Sequence, residues 1–300
     1  MLQLCFVHGC PLFASAEEHG VSASSTRVFS VFGFPITDSV IASWIVALFI
    51  VLVLRIALRG GIRTIPSRGQ AVIESLVEGL ESVIKPIVGQ KSFKVVFPLL
   101  FGYFSYILIQ NWSGIFPGIG SIGINVDGEF RPLLRPANSD LNTTLALAIL
   151  SFFAWFYYSI KCAGIKGLYG EIFGNKVKKS EVSSSVYRML FVIFFAVGFI
   201  ECVSILCRII SLSFRLFGNI FGGENLLHNM YGFSEKLANV PVANFLSYLI
   251  PLPFYFFEFL VAIIQAFVFT LLVSIYIGSI TSHSDSEHDV DCEFLEKEQI

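Results

Sequence analysis

Glu201, Ser204, Arg208, Ser211, Arg215 and Asn219 recur along one apolar stretch at intervals of 3, 4, 3, 4 and 4 residues. On an α-helix this spacing gathers them on one face, in a stripe about 27 Å long, close to the ~30 Å depth of a bilayer core. The chemistry this pattern offers is the passage of charge across a membrane. Arg215 is the sharpest member, standing inside Ser-Leu-Ser-Phe-Arg-Leu-Phe-Gly-Asn, residues 211 to 219. A guanidinium keeps its proton in a protein, and one placed mid-helix in a membrane costs at least ~2.5 to 3.5 kcal/mol. The residues one turn away, Ser211, Leu212, Gly218 and Asn219, include no acid. Its counter-charge therefore lies on another element or another chain.

Serines alone in such a stripe would read as glue between helices, but a stripe carrying Glu201, Arg208 and Arg215 together reads as a face turned to a pathway or a partner. Gly218, Gly222 and Gly223 remove side chains beside it, which suits either a sliding neighbour or tight internal packing. Glu224 lies nine residues past Arg215, half a turn out of phase, and so faces other helices of the same chain. There it can meet Glu258 and Gln265, seven apart and on one face of the final helix; the plainer reading of Glu224, with His228 one turn on, is a solvated helix end. Two carboxylates and an amide toward one side, a fixed cation in the middle and another acid toward the other side form two polar half-paths separated by a charge barrier. Arg215 cannot relay protons because it never deprotonates.

Membrane helices must position these groups. The chain is 55% apolar, only 14% charged and has a mean hydropathy of +0.74, which puts it outside the soluble globular class, and its net charge of −2 gives no reason to expect nucleic acid. Its six cysteines, Cys5, Cys10, Cys162, Cys202, Cys207 and Cys292, have no CxxC spacing and read as packing residues, so no disulfide framework, metal or cofactor is expected. A first span runs from about Ser39 to Leu58. Arg55, Arg59, Arg63 and Arg68 at its end place the following loop in the cytoplasm and the N-terminus outside. Residues 70 to 87 carry Val72, Ile73, Leu76, Val77, Leu80, Val83 and Ile84 on one helical face and Glu74, Glu78, Glu81 and Lys85 on the other, the pattern of an amphipathic surface helix.

Further spans are expected at about 95–116 and 141–161. They are joined outside by a loop with Asp127, Glu129, Arg131, Arg135 and Asp140, and followed inside by one rich in Lys166, Lys176, Lys178, Lys179 and Arg188. One helix from Met189 to about His228 and a last apolar segment from Leu246 to Ile280, interrupted by Pro251 and Pro253, are both longer than an upright span requires. Residues 1–38 form an external segment. Its Ala14-Ser15-Ala16 has the form of a signal-peptide cleavage site for residues 1–16, without the usual basic n-region. Residues 39–281 form the membrane domain and 282–300 an acidic cytoplasmic tail.

At residues 211 to 219, with Gly222-Gly223-Glu224 following, and again at Gln265-Ala266-Phe267-Val268-Phe269, the sequence strongly resembles subunit a of F-type ATP synthases. Asp140-Leu141-Asn142-Thr143-Thr144-Leu145 is similar to another of that family's segments, and the likeness covers roughly residues 35 to 283. The resemblance implies an all-α membrane protein of five transmembrane helices and one amphipathic surface helix, the last two helices long and strongly tilted around a c-ring. It implies a non-catalytic, proton-translocating stator subunit in the cell inner (plasma) membrane, partnered by the c-ring, peripheral-stalk b subunits and lipid. Arg215 would face the ring carboxylates with Asn219 and Gln265 as companions. Glu224 and Glu258 would match the outer half-channel, and Glu201, with Ser204 and Ser211, would border the inner one. Members often pair an acid with a histidine where this chain has Glu224 and Glu258, and often carry lysine at the position of Arg208. The alternative from another class is an autonomous secondary transporter, which the lack of a visible inverted repeat disfavours; a structural anchor would not need ionisable groups at these depths.

Overall fold

The computed structural model describes residues 27–31, 34–59, 61, 65–115, 123–126, 129–132, 136–173, 184–236 and 249–284. The N-terminal segment with its cleavage-like motif, Asp127 and Arg135, the lysines 176, 178 and 179, the start of the last apolar segment and the acidic tail from residue 285 lie outside them. Six helices account for nearly all of the described chain: α1 (Asp38–Ala57), α2 (Arg68–Val88), α3 (Gln90–Ile115), α4 (Leu141–Phe173), α5 (Ser184–Lys236) and α6 (Leu252–Ser284). Two short antiparallel hairpins, β1 (Arg27–Val31) with β2 (Phe34–Thr37) and β3 (Gly123–Val126) with β4 (Glu129–Pro132), lie in the segments expected as an external segment and a loop.

Five helices are long and apolar enough to cross a membrane, over Asp38–Ala57, Ser92–Ile115, Leu141–Lys161, Ile193–Met230 and Leu252–Ser279. They match the five expected spans. The 38-residue stretch in α5 measures about 57 Å at ~1.5 Å per residue, nearly twice a hydrocarbon core, so it cannot stand upright across one. α2 is the amphipathic helix its periodicity predicts: Leu80, Ile84 and Val88 are buried while Glu78 is exposed, and Glu81 pairs with Lys85 at 2.8 Å. It stops at Gly89, whose φ of 85° is a left-handed conformation that glycine adopts without steric penalty, and α3 begins one residue later. The helical path of α4 breaks in the same way at Gly164, φ 71°, just beyond the apolar span. The last apolar segment breaks in a turn at Ile250 and Pro251, and α6 starts there, with Pro251 accepting hydrogen bonds from Phe254 and Tyr255 and Pro253 in the first turn of the helix.

The chain forms two compact units. One comprises residues up to Gln70 with Tyr103–Thr144 and Phe214–Val268; the other comprises Ala71–Gly102, Leu145–Ser213 and Phe269 onward. In the first, α1 packs beside β2 and a 3-10 turn at Ala137–Ser139, and its core takes Ile107, Leu216, Ile220, Ala262 and Ala266. In the second, Ile84, Val96, Leu100, Phe269, Val273 and Ile277 are almost fully buried. There α2 and α6 approach so closely that a Cβ at Gly278 would fall on the backbone carbonyl of Ile87. On α1, by contrast, Trp44, Leu48 and Ile56 are 62%, 69% and 61% exposed, a surface suited to lipid and not to water.

Candidate functional site

The first unit holds five of the seven residues singled out for ion translocation: Arg215, Asn219 and Glu224 on α5, Glu258 and Gln265 on α6. α5 is divided lengthwise here. Leu216, Ile220, Gly223 and Leu227 are buried, while Arg215, Gly218, Asn219 and Gly222 are exposed. This is the helical alternation that an apolar stripe at 3.6 residues per turn produces. Among the described residues a Cβ at Gly218 or Gly222 would meet nothing within 4 Å, so neither glycine serves packing against them. Among the described residues Arg215 makes no ion pair or hydrogen bond.

The opposite edge of α5 is closed against α6. Asn219 Nδ2 donates to Gln265 Oε1 at 2.6 Å, and the Glu258 carboxylate, 6% exposed, lies where a side chain at Gly223 would otherwise be. Pairing of residues 219 with 265 and 223 with 258 means the two segments run antiparallel. Glu224 is half-buried and directly follows the glycine on which Glu258 sits, and His228, one turn further, is exposed. The glycine triplet thus divides: Gly223 makes room for an internal carboxylate, and Gly218 and Gly222 leave an outer surface bare.

Behind α6 lies a polar group that pattern reading missed. Asn138, in the 3-10 turn, donates to Asn111 Oδ1 at 2.6 Å, and Asn111 Nδ2 donates to the Ala262 carbonyl at 3.4 Å, while the Trp112 indole stacks on the Phe259 ring beside Glu258 at 5.1 Å. Gln110 is fully buried, and among the described residues both of its side-chain polar atoms are unpartnered, as is Gln265 Nε2. Buried polar atoms without protein partners are ordinarily met by internal water. The available signal was Gln110-Asn111 near the end of an apolar span.

The second unit holds the other two residues, Glu201 and Ser211. Ser211 is exposed. Glu201 accepts a hydrogen bond from Arg208 Nη2 at 3.0 Å, and the same guanidinium stands 5.1 Å from the centre of the Tyr276 ring, within cation–π range. Arg208 also borders a cavity of about 30 Å³ lined by Ser151, Phe152, Trp155, Leu212 and Tyr276 among others. Among the described residues no three His, Cys, Asp or Glu side chains come together as a metal site.

Residues 40–278 match the family model described as ATP synthase A chain. Among curated relatives, the chain is 31% identical over 252 residues to "ATP synthase subunit a, sodium ion specific" of Propionigenium modestum, covering 83% of this chain and 76% of that protein. It is 30% identical to ATP synthase subunit a of Citrifermentans bemidjiense over 82% of this chain and 89% of the relative, and 26% identical to ATP synthase subunit a 2 of Vibrio campbellii over 80% and 86%.

Proposed function

The chain belongs to the ATP synthase A chain family, the proton-translocating membrane-sector subunits of that complex, and from this premise we propose that it is the non-catalytic stator against which a ring of proteolipid subunits turns. It is a multi-pass membrane protein that works with other subunits of the sector. In our reading those are the c-ring and the peripheral-stalk b subunits, the N-terminus lies outside and the C-terminus in the cytoplasm, and ATP chemistry takes place elsewhere in the complex.

The observation that carries this reading is the bare face of α5. Arg215, Gly218, Asn219 and Gly222 are exposed together, and the arginine has no partner among the described residues. A fixed cation on a smooth membrane-facing surface stabilises an ionised carboxylate carried past it by another chain. A ring carboxylate arriving neutral releases its ion opposite Arg215 and must be reloaded before it returns to lipid. Glu224 and Glu258 are the groups we assign to one half-path, with Asn219 and Gln265 fixing the α5–α6 seam between that path and the arginine. Glu201 and Ser211 border the other half-path. Arg215 separates the two because it cannot relay a proton.

The test is ATP-driven acidification of inverted membrane vesicles with Arg215→Ala in the assembled complex. Acidification should fall to background while the ring still co-purifies with the chain; normal pumping would remove the arginine from the mechanism.

A further inference from the structure

We propose that Glu201 is the dedicated counter-ion of Arg208, and that this pair, backed by Tyr276, keeps the second unit's part of α5 free of uncompensated charge; Glu201 is then not a relay for the transported ion. The inference rests on the stator reading above and changes the role of one residue in it.

Three observations meet at Arg208. Its Nη2 donates to Glu201 Oε1 at 3.0 Å, a charge-assisted hydrogen bond across seven residues, or two helical turns. Its guanidinium lies over the Tyr276 ring at 5.1 Å, so a second helix helps fix its position. A third helix, α4, supplies Ser151 and Trp155 to the small, mostly apolar cavity that Arg208 borders. The side chain is thus engaged by a carboxylate and a ring from two positions, a built place for one cation.

The consequence concerns what each charge is for. In a low-dielectric segment, an ion pair that loses one partner leaves an uncompensated charge, which is far costlier than losing both. A relay carboxylate behaves otherwise. Its loss breaks the path whatever happens to a neighbouring cation. Glu201 and Arg208 are accordingly structural partners, and the two readings differ in whether the double substitution rescues the single ones.

Glu201→Gln, Arg208→Gln and the double variant are compared in inverted vesicles, with acidification normalised to the amount of assembled complex. The pair predicts that each single variant loses about tenfold in assembled complex or in transport, and that the double variant recovers to within about threefold of the parent. A double variant no better than Glu201→Gln, or either single variant indistinguishable from the parent, overturns the proposal. Where a single variant does not assemble, the double variant still decides, since restored assembly and pumping support the pair and continued failure overturns it. Arg215→Ala in the same preparation separates the two levels: pumping by that variant sinks the stator reading, whereas its silence together with an unrescued double variant sinks only the pair.

Discussion

Arg208 and Arg215 are the same residue type, seven positions apart on one helix, and they live in opposite circumstances. Arg208, in the second unit, is half-buried, bonded to Glu201 and stacked on Tyr276. Arg215, in the first, is exposed and has no partner among the described residues. A membrane helix tolerates a permanent charge when something answers it. Where the answer lies inside the chain, the arginine is part of the structure; for Arg215 the proposed stator role puts the answering charge on a partner subunit. The largest predicted effect follows. Arg215→Lys should stop ATP-driven acidification as completely as Arg215→Ala, because an ammonium lacks the planar fork and can lose its proton when desolvated. Arg208→Lys should stay within about threefold of the parent, since an ammonium still pairs with Glu201 and still sits over the ring. Equal sensitivity at both positions would break the comparison.

The same contrast recurs in two glycines. At Gly278 a Cβ would strike the backbone carbonyl of Ile87, which cannot move without shifting α2. Gly278→Ala should therefore destabilise the second unit by about 1–3 kcal/mol and lower the amount of assembled complex on a native gel. At Gly223 the Cβ would strike the end of a flexible side chain, the Glu258 carboxylate. Gly223→Ala should leave assembly intact and slow transport by about tenfold, as Glu258→Gln should if the carboxylate is an obligatory relay. Assembly lost at Gly223 and kept at Gly278 would mean the structural and functional glycines have been exchanged. Glu224→Gln combined with Glu258→Gln should cost much less than the product of the two single effects, because either break interrupts one path.

Much of this was legible in the sequence, and the physical reasons are uneven. The spans follow from apolar length, and α2 follows from Leu80, Ile84 and Val88 recurring at helical spacing. The unanswered charge at Arg215 could be read because local partners on a helix are confined to one turn. That same rule hid the Glu201–Arg208 pair, which is seven residues apart and bridges two turns through two extended side chains. The seating of Glu258 on Gly223 and the bond from Asn219 to Gln265 join residues tens of positions apart, and no periodicity encodes which helices face each other. Spacing put Asn219 with Arg215 on one stripe and Gln265 with Glu258 on another face; the structure makes Asn219 the link between them. The two hairpins were missed because strand pairing depends on contacts with the opposite strand more than on local preference.

That link sets the smallest expected effect. The Asn219–Gln265 hydrogen bond is short at 2.6 Å, and its acceptor residue is buried while its donor residue is on the exposed face. A neutral hydrogen bond contributes about 0.5–1.5 kcal/mol net, so losing it should shift transport by about two- to tenfold and should not abolish it. Asn219→Ala leaves the Gln265 carbonyl buried without this donor, whereas Gln265→Ala leaves the Asn219 amide at a surface where other partners can reach it. If the bond only fixes the seam between α5 and α6, Gln265→Ala should therefore be the milder change, and the double variant, which leaves no unpaired carbonyl, should match Gln265→Ala. If Asn219 also touches the passing ring, the double variant should be as slow as Asn219→Ala. Rates of acidification for the three variants at equal complex content distinguish these outcomes, and a complete loss in any of them would place the pair beside Arg215 in importance instead of at the seam.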